Sequence, residues 1–482
     1  MPRYIHSPGG GLFPSHKSYG EHLYSPRYMR VDARLLPNGV SVSFKGNEYP
    51  ILYPDGVWSS VPEQTRVALR DNLAVMATMH LPLVFGEDHV TYGTGRPYLE
   101  PYLYMNFIKD IPSCTEIDGT DTAETIRRFY NTRYEFEHSD IVVPSPDPVD
   151  SPHRAIVGLS FGKDSLLTYA VADEIGLEPE SVYVIEESMT YEQKHKTALA
   201  AEFKKEFGKE LKTLIHDTGR LRDYDHLGLP QSELGWGLQT SEYVLELLPF
   251  AYYLHGKYLL FGNEQTASAT YMSNDASGPW LVYPCFDQSH EWTVHLDQVS
   301  QAFSGRSVRT GSLIEPLMDM MIQRILVRRY PQYAKYQMSC FTIDEHGRDY
   351  RWCHHCSVCA KMYLMCVGGG VDPAMIGLRE DMLASSKRHL FSLFGGKSDM
   401  PYLNSEAARD EQIFALYSAA KKGVRGDLID EFRHSSHFKE AQAREDDLMK
   451  KFVRLYEPIS LPRELRDQVM SIYREELALF EL

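Results

Sequence analysis

The sequence predicts an α/β protein: a doubly wound parallel sheet in the middle of the chain, preceded by an N-terminal mixed α+β domain and followed by a C-terminal helical region. Three observations carry this reading. Short apolar runs alternate with longer helical patterns between residues 155 and 261, four prolines fall within residues 143–152, and strand signals vanish beyond about residue 367. Continuous apolar strands belong to sheets covered on both faces. Proline at that density is tolerated neither by a helix interior nor by a central strand.

Residues 1–150, rich in Tyr, Pro and Gly, read as short strands and turns, with period-two alternation at Val40-Ser41-Val42-Ser43-Phe44 and one helix over 63–79. The proline-rich stretch sets a boundary there. Residues 151–366 then alternate as strand 155–159, helix 165–175, strand 182–186, helix 191–207, strand 211–216, helix 240–255 and strand 258–261. In residues 367–482 the helices are 406–421, 438–456 and 462–480. Val469, Ile472, Tyr473 and Leu477 recur in the last of these at helical spacing and form a packing face.

Composition limits the function classes. Across 482 residues, 43% hydrophobic and 24% charged, the chain matches soluble globular proteins and excludes disordered or fibrous ones. Fifty Lys and Arg against 66 Asp and Glu leave a net charge of -16, which disfavours a nucleic-acid partner. Residues 302–335 are the exception, where Arg306, Arg309, Arg324, Arg328, Arg329 and Lys335 face only Glu315 and Asp319. That segment reads either as a site for a small anionic metabolite or as a solvated helix face. No stretch has the length of a membrane span, and Met1-Pro2-Arg3-Tyr4-Ile5-His6-Ser7 lacks a secretory signal's basic and then apolar run. Both point to a cytoplasmic protein without membrane contact; a homo-oligomer is compatible with the composition.

The most informative segment is Ile156-Val157-Gly158-Leu159-Ser160-Phe161-Gly162-Lys163-Asp164-Ser165-Leu166-Leu167. A strand ends, a small-residue turn follows and a helix begins, so backbone N–H groups point outward at the positive end of a helix dipole. Ser160 and Ser165 offer hydroxyls to phosphate oxygens, Gly162 admits close approach, Lys163 adds positive charge, and Asp164 can hold Mg²⁺ between phosphates. The glycine spacing is not that of a Walker A loop, which argues against a kinase-type site.

Ser160-Phe161-Gly162-Lys163-Asp164-Ser165 resembles the Ser-Gly-Gly-X-Asp-Ser loop of the N-type ATP pyrophosphatases, or PP-loop enzymes, with Phe161 in place of the first glycine. The resemblance implies cleavage of ATP to AMP and pyrophosphate while a substrate carboxylate or carbonyl oxygen is adenylated. It also implies that adenosine lies against the second strand, which here ends at Val184-Ile185-Glu186-Glu187. Glu264, in Phe261-Gly262-Asn263-Glu264 at a later strand end, assists Mg²⁺ or substrate binding or is simply a polar turn residue. Lys163, Asp164 and Glu264 are thus the candidate catalytic residues. His216, His290, His295 and Glu264 all remain open as a general base.

Cys353, Cys356 and Cys359 follow C-x2-C-x2-C spacing with Cys340 upstream, four thiolates able to wrap one structural Zn²⁺. Seven cysteines are too few for a disulfide scaffold in a chain of this length. An iron–sulfur cluster and redox cysteines are the rival readings, and His354 or His355 can replace Cys340 as a ligand. Cys366 reads as a small hydrophobe on the next helix, and Cys114 and Cys285 as isolated packing residues.

A PP-loop with a late cysteine cluster is similar to cyano-deazaguanine synthases, ligases that form an amide and then a nitrile. Over about residues 155–366 the chain more closely resembles the ATP-dependent epimerases that invert the terminal glutamate of UDP-N-acetylmuramoyl-L-alanyl-L-glutamate. The residues concerned are Gly262-Asn263-Glu264, Ser312-Leu313-Ile314-Glu315-Pro316-Leu317, Ser339-Cys340 and Trp352-Cys353-His354-His355-Cys356-Ser357-Val358-Cys359-Ala360-Lys361, with Val358 where that pattern often has Lys. This resemblance implies adenylation of a carboxylate followed by proton removal and return at the adjacent carbon. A deazaguanine-type ligase, an RNA-modifying enzyme and a nucleotide sensor without turnover are the competing readings.

Overall fold

A computed structural model describes residues 28–149, 153–186, 190–340, 345–396 and 406–482; Met1–Ser7, Ser151, Pro152 and Glu187 lie outside them. The front strands β1 (Tyr28–Leu36), β2 (Gly39–Phe44) and β3 (Asn47–Leu52) form an antiparallel meander. Lys45 and Gly46 turn β2 into β3, both at positive φ (47° and 80°), as a two-residue hairpin turn requires. Next come α1 (Glu63–Thr78), α2 (Leu81–Phe85), β4 (His89–Arg96), α3 (Glu100–Asp118), α4 (Thr122–Asn131) and β5 (Arg133–Ile141).

Beyond the proline-rich stretch run β6 (Ala155–Gly158), α5 (Lys163–Glu174), β7 (Glu180–Ile185), α6 (Thr190–Phe207), β8 (Lys212–His216), α7 (Gln239–Leu254) and β9 (Tyr258–Leu260). A hairpin of β10 (Tyr271–Asp275) and β11 (Gly278–Val282) precedes α8 (His290–Phe303), β12 (Arg309–Gly311), α9 (Asp319–Arg329), α10 (Pro331–Ala334) and α11 (Ser357–Gly369). The last helices are α12 (Glu406–Lys421), α13 (Asp427–Arg433), α14 (Ser436–Ala443), α15 (Glu445–Phe452) and α16 (Arg466–Ala478).

The fold is mixed α/β around one large, mostly parallel sheet. Ten strands lie in the order β12-β9-β6-β7-β8-β3-β2-β1-β4-β5, with β12 to β8 mutually parallel and β3 antiparallel to β8. Strands on both sides of the proline-rich stretch therefore share one sheet. Val40, Ile51 and Trp58 also share a core with Ile156, Val182 and Leu214. Period-two alternation sorts the side chains. Val157, Tyr183 and Leu260 face α5, α6, α9 and α11, whereas Ile156, Val182 and Leu259 face α1, α7 and α8. Both faces are covered, as apolar strands without polar alternation demand.

The chain leaves β6 toward β7 and β8, then crosses back to β9 and β12 on the other side. Where a parallel sheet reverses direction in this way, the loops after the two central strands diverge and leave a crevice at the carboxyl edge. Here those loops are residues 159–162, running into the start of α5, and 261–264.

Expected strands and helices over 155–261 are present within two residues at each end. The front region corrects the sequence reading, because α2, α3 and α4 accompany the one helix expected there. In α3 the buried positions Leu103, Phe107, Ile111 and Cys114 do follow helical spacing. Buried Asn106 and Asp110 on the same stripe, with prolines at 101 and 112, hide it. The helix expected over 438–456 is broken between α14 and α15 at Arg444.

Buried His80, which precedes α2, shares a 3.1 Å hydrogen bond between Nε2 and the Leu221 carbonyl. Burial, with Arg222 adding to it, pushes its pKa down to about 3. An unfolded chain takes up this proton near 6.5, whereas the folded one resists until about pH 3. The contribution to stability is therefore complete above 6.5 and lost as pH falls through that window, by up to about 1.4 kcal/mol per pH unit. Urea midpoints measured between pH 3 and 6.5 are expected to show this slope, and His80→Gln to flatten it.

Candidate functional site

The crevice between β6 and β9 gathers the loop residues singled out in the sequence. The N-cap of α5 is Gly162, which has no side chain to occupy the first-turn amides, so they can meet an anion at the crevice. Ser165 Oγ lies 3.2 Å from the Ser160 amide and 3.3 Å from Ser160 Oγ, folding the turn back on itself. Phe161 adopts φ 58°, the left-handed conformation glycine takes freely. Its ring is fully buried, 6.0 Å from that of Phe203, and its carbonyl accepts the Met338 amide at 2.8 Å. Core packing thus holds a strained backbone while the side chain stays out of the opening.

Gly262 brings the second loop against the first. A Cβ there would stand 2.6 Å from Asp164 Cβ, so only glycine allows this approach. Next to it Glu264 caps its own turn through the Thr266 amide, and Asn263 is fixed by Thr293 at 2.9 Å and by the Ser312 hydroxyl at 2.6 Å.

Electrostatically the crevice is an ion chain. Lys163, 6% exposed, pairs with Asp164 and lies 2.7 Å from Asp319, which in turn pairs with Lys361. Burial disfavours the Lys163 charge, but Asp164, Asp319 and Glu264 outweigh it and hold the ammonium well above the usual lysine range. Burial likewise opposes ionisation of Asp319, yet Lys163 and Lys361 keep it below the usual carboxylate range. Burial and then the Asp319 charge push Glu264 up to about 8. Glu411 on α12 is pushed up to about 7 by burial, and its Oε1 has no hydrogen-bond partner. Four carboxyls therefore face two ammonium groups, and the side chain of Asp164, 31% exposed, reaches the opening.

The sequence reading did not assign Asp319, Lys361 or Glu411 to the site: Asp319 stood only as a counter-charge of the basic segment and Lys361 only as the end of the cysteine motif. Asp319 opens α9 inside Leu317-Met318-Asp319-Met320-Met321-Ile322, and a lone acid in an apolar run is the signal that marks it. Lys361 follows Cys359 by two residues on α11. Nothing local distinguishes Glu411.

Four sulfurs meet at the start of α11. Cys340 and Cys356 are 3.9 Å apart, Cys353 and Cys359 3.8 Å, and Cys356 and Cys359 3.5 Å. Amides of His355 and Cys359 lie 3.4 Å from the Cys353 and Cys356 sulfurs. The two histidines weighed against Cys340 are engaged elsewhere: His354 Nε2 accepts the Arg379 amide at 3.1 Å, and His355 packs on His346. Cys366 is a buried residue of α11, while Cys114 and Cys285 approach Asp110 and Asp287 at 3.0 Å.

The basic segment 302–335 is corrected as a substrate site. Arg309 pairs with Asp297, Arg328 with Glu476, Arg329 with Glu174 and Glu475, and Lys335 with Glu206. Arg324 is buried and donates to the Gly369 and Leu479 carbonyls. Counter-charges elsewhere in the chain thus take up four of the six basic side chains, and carbonyls take up Arg324. Glu315 is equally committed, accepting the amides of Ile459, Ser460 and Leu461 at 2.8–3.0 Å and so tying the tail to the turn after β12.

Of the four candidate bases, Glu264 is the one whose charge couples to Lys163 and Asp164. His216 lies at the end of β8 against Glu246, and His295 packs between Tyr102 and Trp292. His290 begins α8, its amide bound to Ser268 Oγ. A scan against protein families matches none, and a search of curated proteins finds no relative.

Proposed function

We propose that the chain is an enzyme that splits ATP into AMP and pyrophosphate while adenylating a carboxylate on a small anionic metabolite. The observation that carries this reading is the meeting of the uncapped α5 terminus with the Lys163–Asp319–Lys361 ion chain in the crevice between β6 and β9. Backbone amides and the Ser160 and Ser165 hydroxyls would receive phosphate oxygens, and Lys163, fixed by Asp319, would stay charged beside them. Asp164 would hold Mg²⁺, which neutralises phosphate charge as it develops. The donor set fits such an ion, since the Asp164 carboxyl reaches the opening beside the α5 terminus.

Epimerisation of the terminal glutamate of a UDP-muramoyl dipeptide, or a similar precursor, is the specific activity we favour. Adenylation acidifies the carbon next to the acyl group, and a carboxyl with raised proton affinity is suited to remove and return that proton near neutral pH. Glu264 and Glu411 have that property.

The test incubates the protein with labelled ATP, Mg²⁺ and a panel of carboxylates that includes the muramoyl dipeptide. Substrate-dependent AMP and pyrophosphate are expected. Amine dependence would point to a deazaguanine-type ligase instead, and ATP binding without AMP would leave only the sensor reading.

The cysteines would hold a structural Zn²⁺. Zinc–sulfur bonds of about 2.3 Å place tetrahedral sulfurs about 3.8 Å apart, and the observed separations match. Such an ion would anchor α11 and with it Lys361. One zinc per chain at the cysteines is expected, read by elemental analysis as the difference between wild type and Cys356→Ser, which should lose that ion and most pyrophosphate release; iron together with sulfide would select the cluster alternative.

A further inference from the structure

A second polar group lies at the carboxyl end of β8, outside the crevice. Helix α7 carries Glu242 and Glu246 one turn apart, on the side facing His216, and all three side chains are fully buried. His216 Nδ1 is 2.7 Å from Glu246 Oε1 and 3.2 Å from Thr218 Oγ1, which donates to Glu242 Oε1 at 2.9 Å. The other oxygen of Glu242 pairs with Arg222. Glu186, at the end of β7, has Oε1 3.7 Å from His216 Nε2 and accepts from Gln239 and Tyr243.

Two features set this group apart from an ordinary buried ion pair. Glu246 Oε2 and His216 Nε2 have no hydrogen-bond partner although neither residue is exposed, and orphaned buried polar atoms are costly. Charge is also unbalanced, because three carboxylates face one guanidinium. With a neutral imidazole the deficit is two, which one divalent cation cancels.

We propose that His216, Glu242 and Glu246 form a second metal site, for a divalent first-row transition ion such as Mn²⁺ or Zn²⁺. One ligand atom from each of the three lies within 4.8 Å of the others. The 2.7 Å contact between His216 Nδ1 and Glu246 Oε1 is close to the edge of about 3 Å expected between neighbouring ligands bonded at about 2.1 Å and at right angles. An imidazole among carboxylates selects such ions over Mg²⁺. The ion would join β8 to α7, beside the Ile51–His216 pairing that links the front strands to the parallel ones. This site does not depend on the ATP reading.

Metal-depleted protein in excess Mg²⁺ would be titrated with Co²⁺ and followed by visible absorption. We expect one intense thiolate-ligated spectrum and one weaker nitrogen- and oxygen-ligated spectrum, the second alone missing in Glu246→Gln. Saturation by the thiolate site alone, or a second spectrum that survives in Glu246→Gln, overturns the proposal in favour of a proton-bridged pair. Should that variant fail to fold, pulsed EPR of the Mn²⁺-loaded wild type decides: coupling to a coordinated imidazole nitrogen supports the site, and its absence overturns it.

Discussion

Asp164→Asn is expected to slow substrate-dependent pyrophosphate release by about 10²–10³-fold, the usual cost of deleting one preorganised electrostatic contact to a transition state. Asp164 is the partly exposed carboxyl of the ion chain, whereas Asp319 is buried beneath it, with side-chain exposures of 31% and 3%. Asn keeps the shape and an acceptor for Lys163, and Lys163 retains Asp319. Stability should change by no more than about 1 kcal/mol, as for a partly exposed pair. Rates come from single-substrate kinetics at saturating Mg²⁺, and stability from urea unfolding. A variant that stays as fast as wild type would remove Asp164 from the chemistry.

Asp319→Ala should produce the largest loss of stability, about 3–5 kcal/mol, because breaking a buried pair strands the opposite charge. Here two ammonium groups, Lys163 and Lys361, lose the 3% exposed carboxylate they share, and Lys163 keeps only the partly exposed Asp164. Adding Lys361→Met to Asp319→Ala removes one of them, so the double variant should be less destabilised than the sum of the singles. Strict additivity by urea unfolding would show that the chain of charges is not an energetic unit.

Much of this architecture was readable because its signals are local. Strand-to-helix turns such as Leu159 to Ser165 combine an apolar run, small residues and a helix start, and the three close cysteines need no partner to be recognised. Partnerships formed across the chain were not readable. Arg328 and Arg329 look like unpaired charge until Glu476, 148 and 147 residues away, closes on them. Glu411 is an ordinary polar residue of α12 until the packing of α11 against α12 brings it near Lys361. The α3 helix was masked for a related reason, since Asn106 and Asp110 bury polar groups whose partners, Gly237 and Cys114, include one more than a hundred residues away.

The antiparallel join between β3 and β8 has a consequence for how the protein is made. Ile51 pairs with His216, so one edge of the front sheet waits for a partner translated some 165 residues later. At about 5–20 residues per second that is about 8–33 s on the ribosome. Throughout that interval a strand carrying Tyr49 and Ile51 presents an open backbone ladder, a template for pairing with a neighbouring nascent chain. Stopping the chain near residue 150 would make that exposure permanent, and the fragment should aggregate where the whole protein does not.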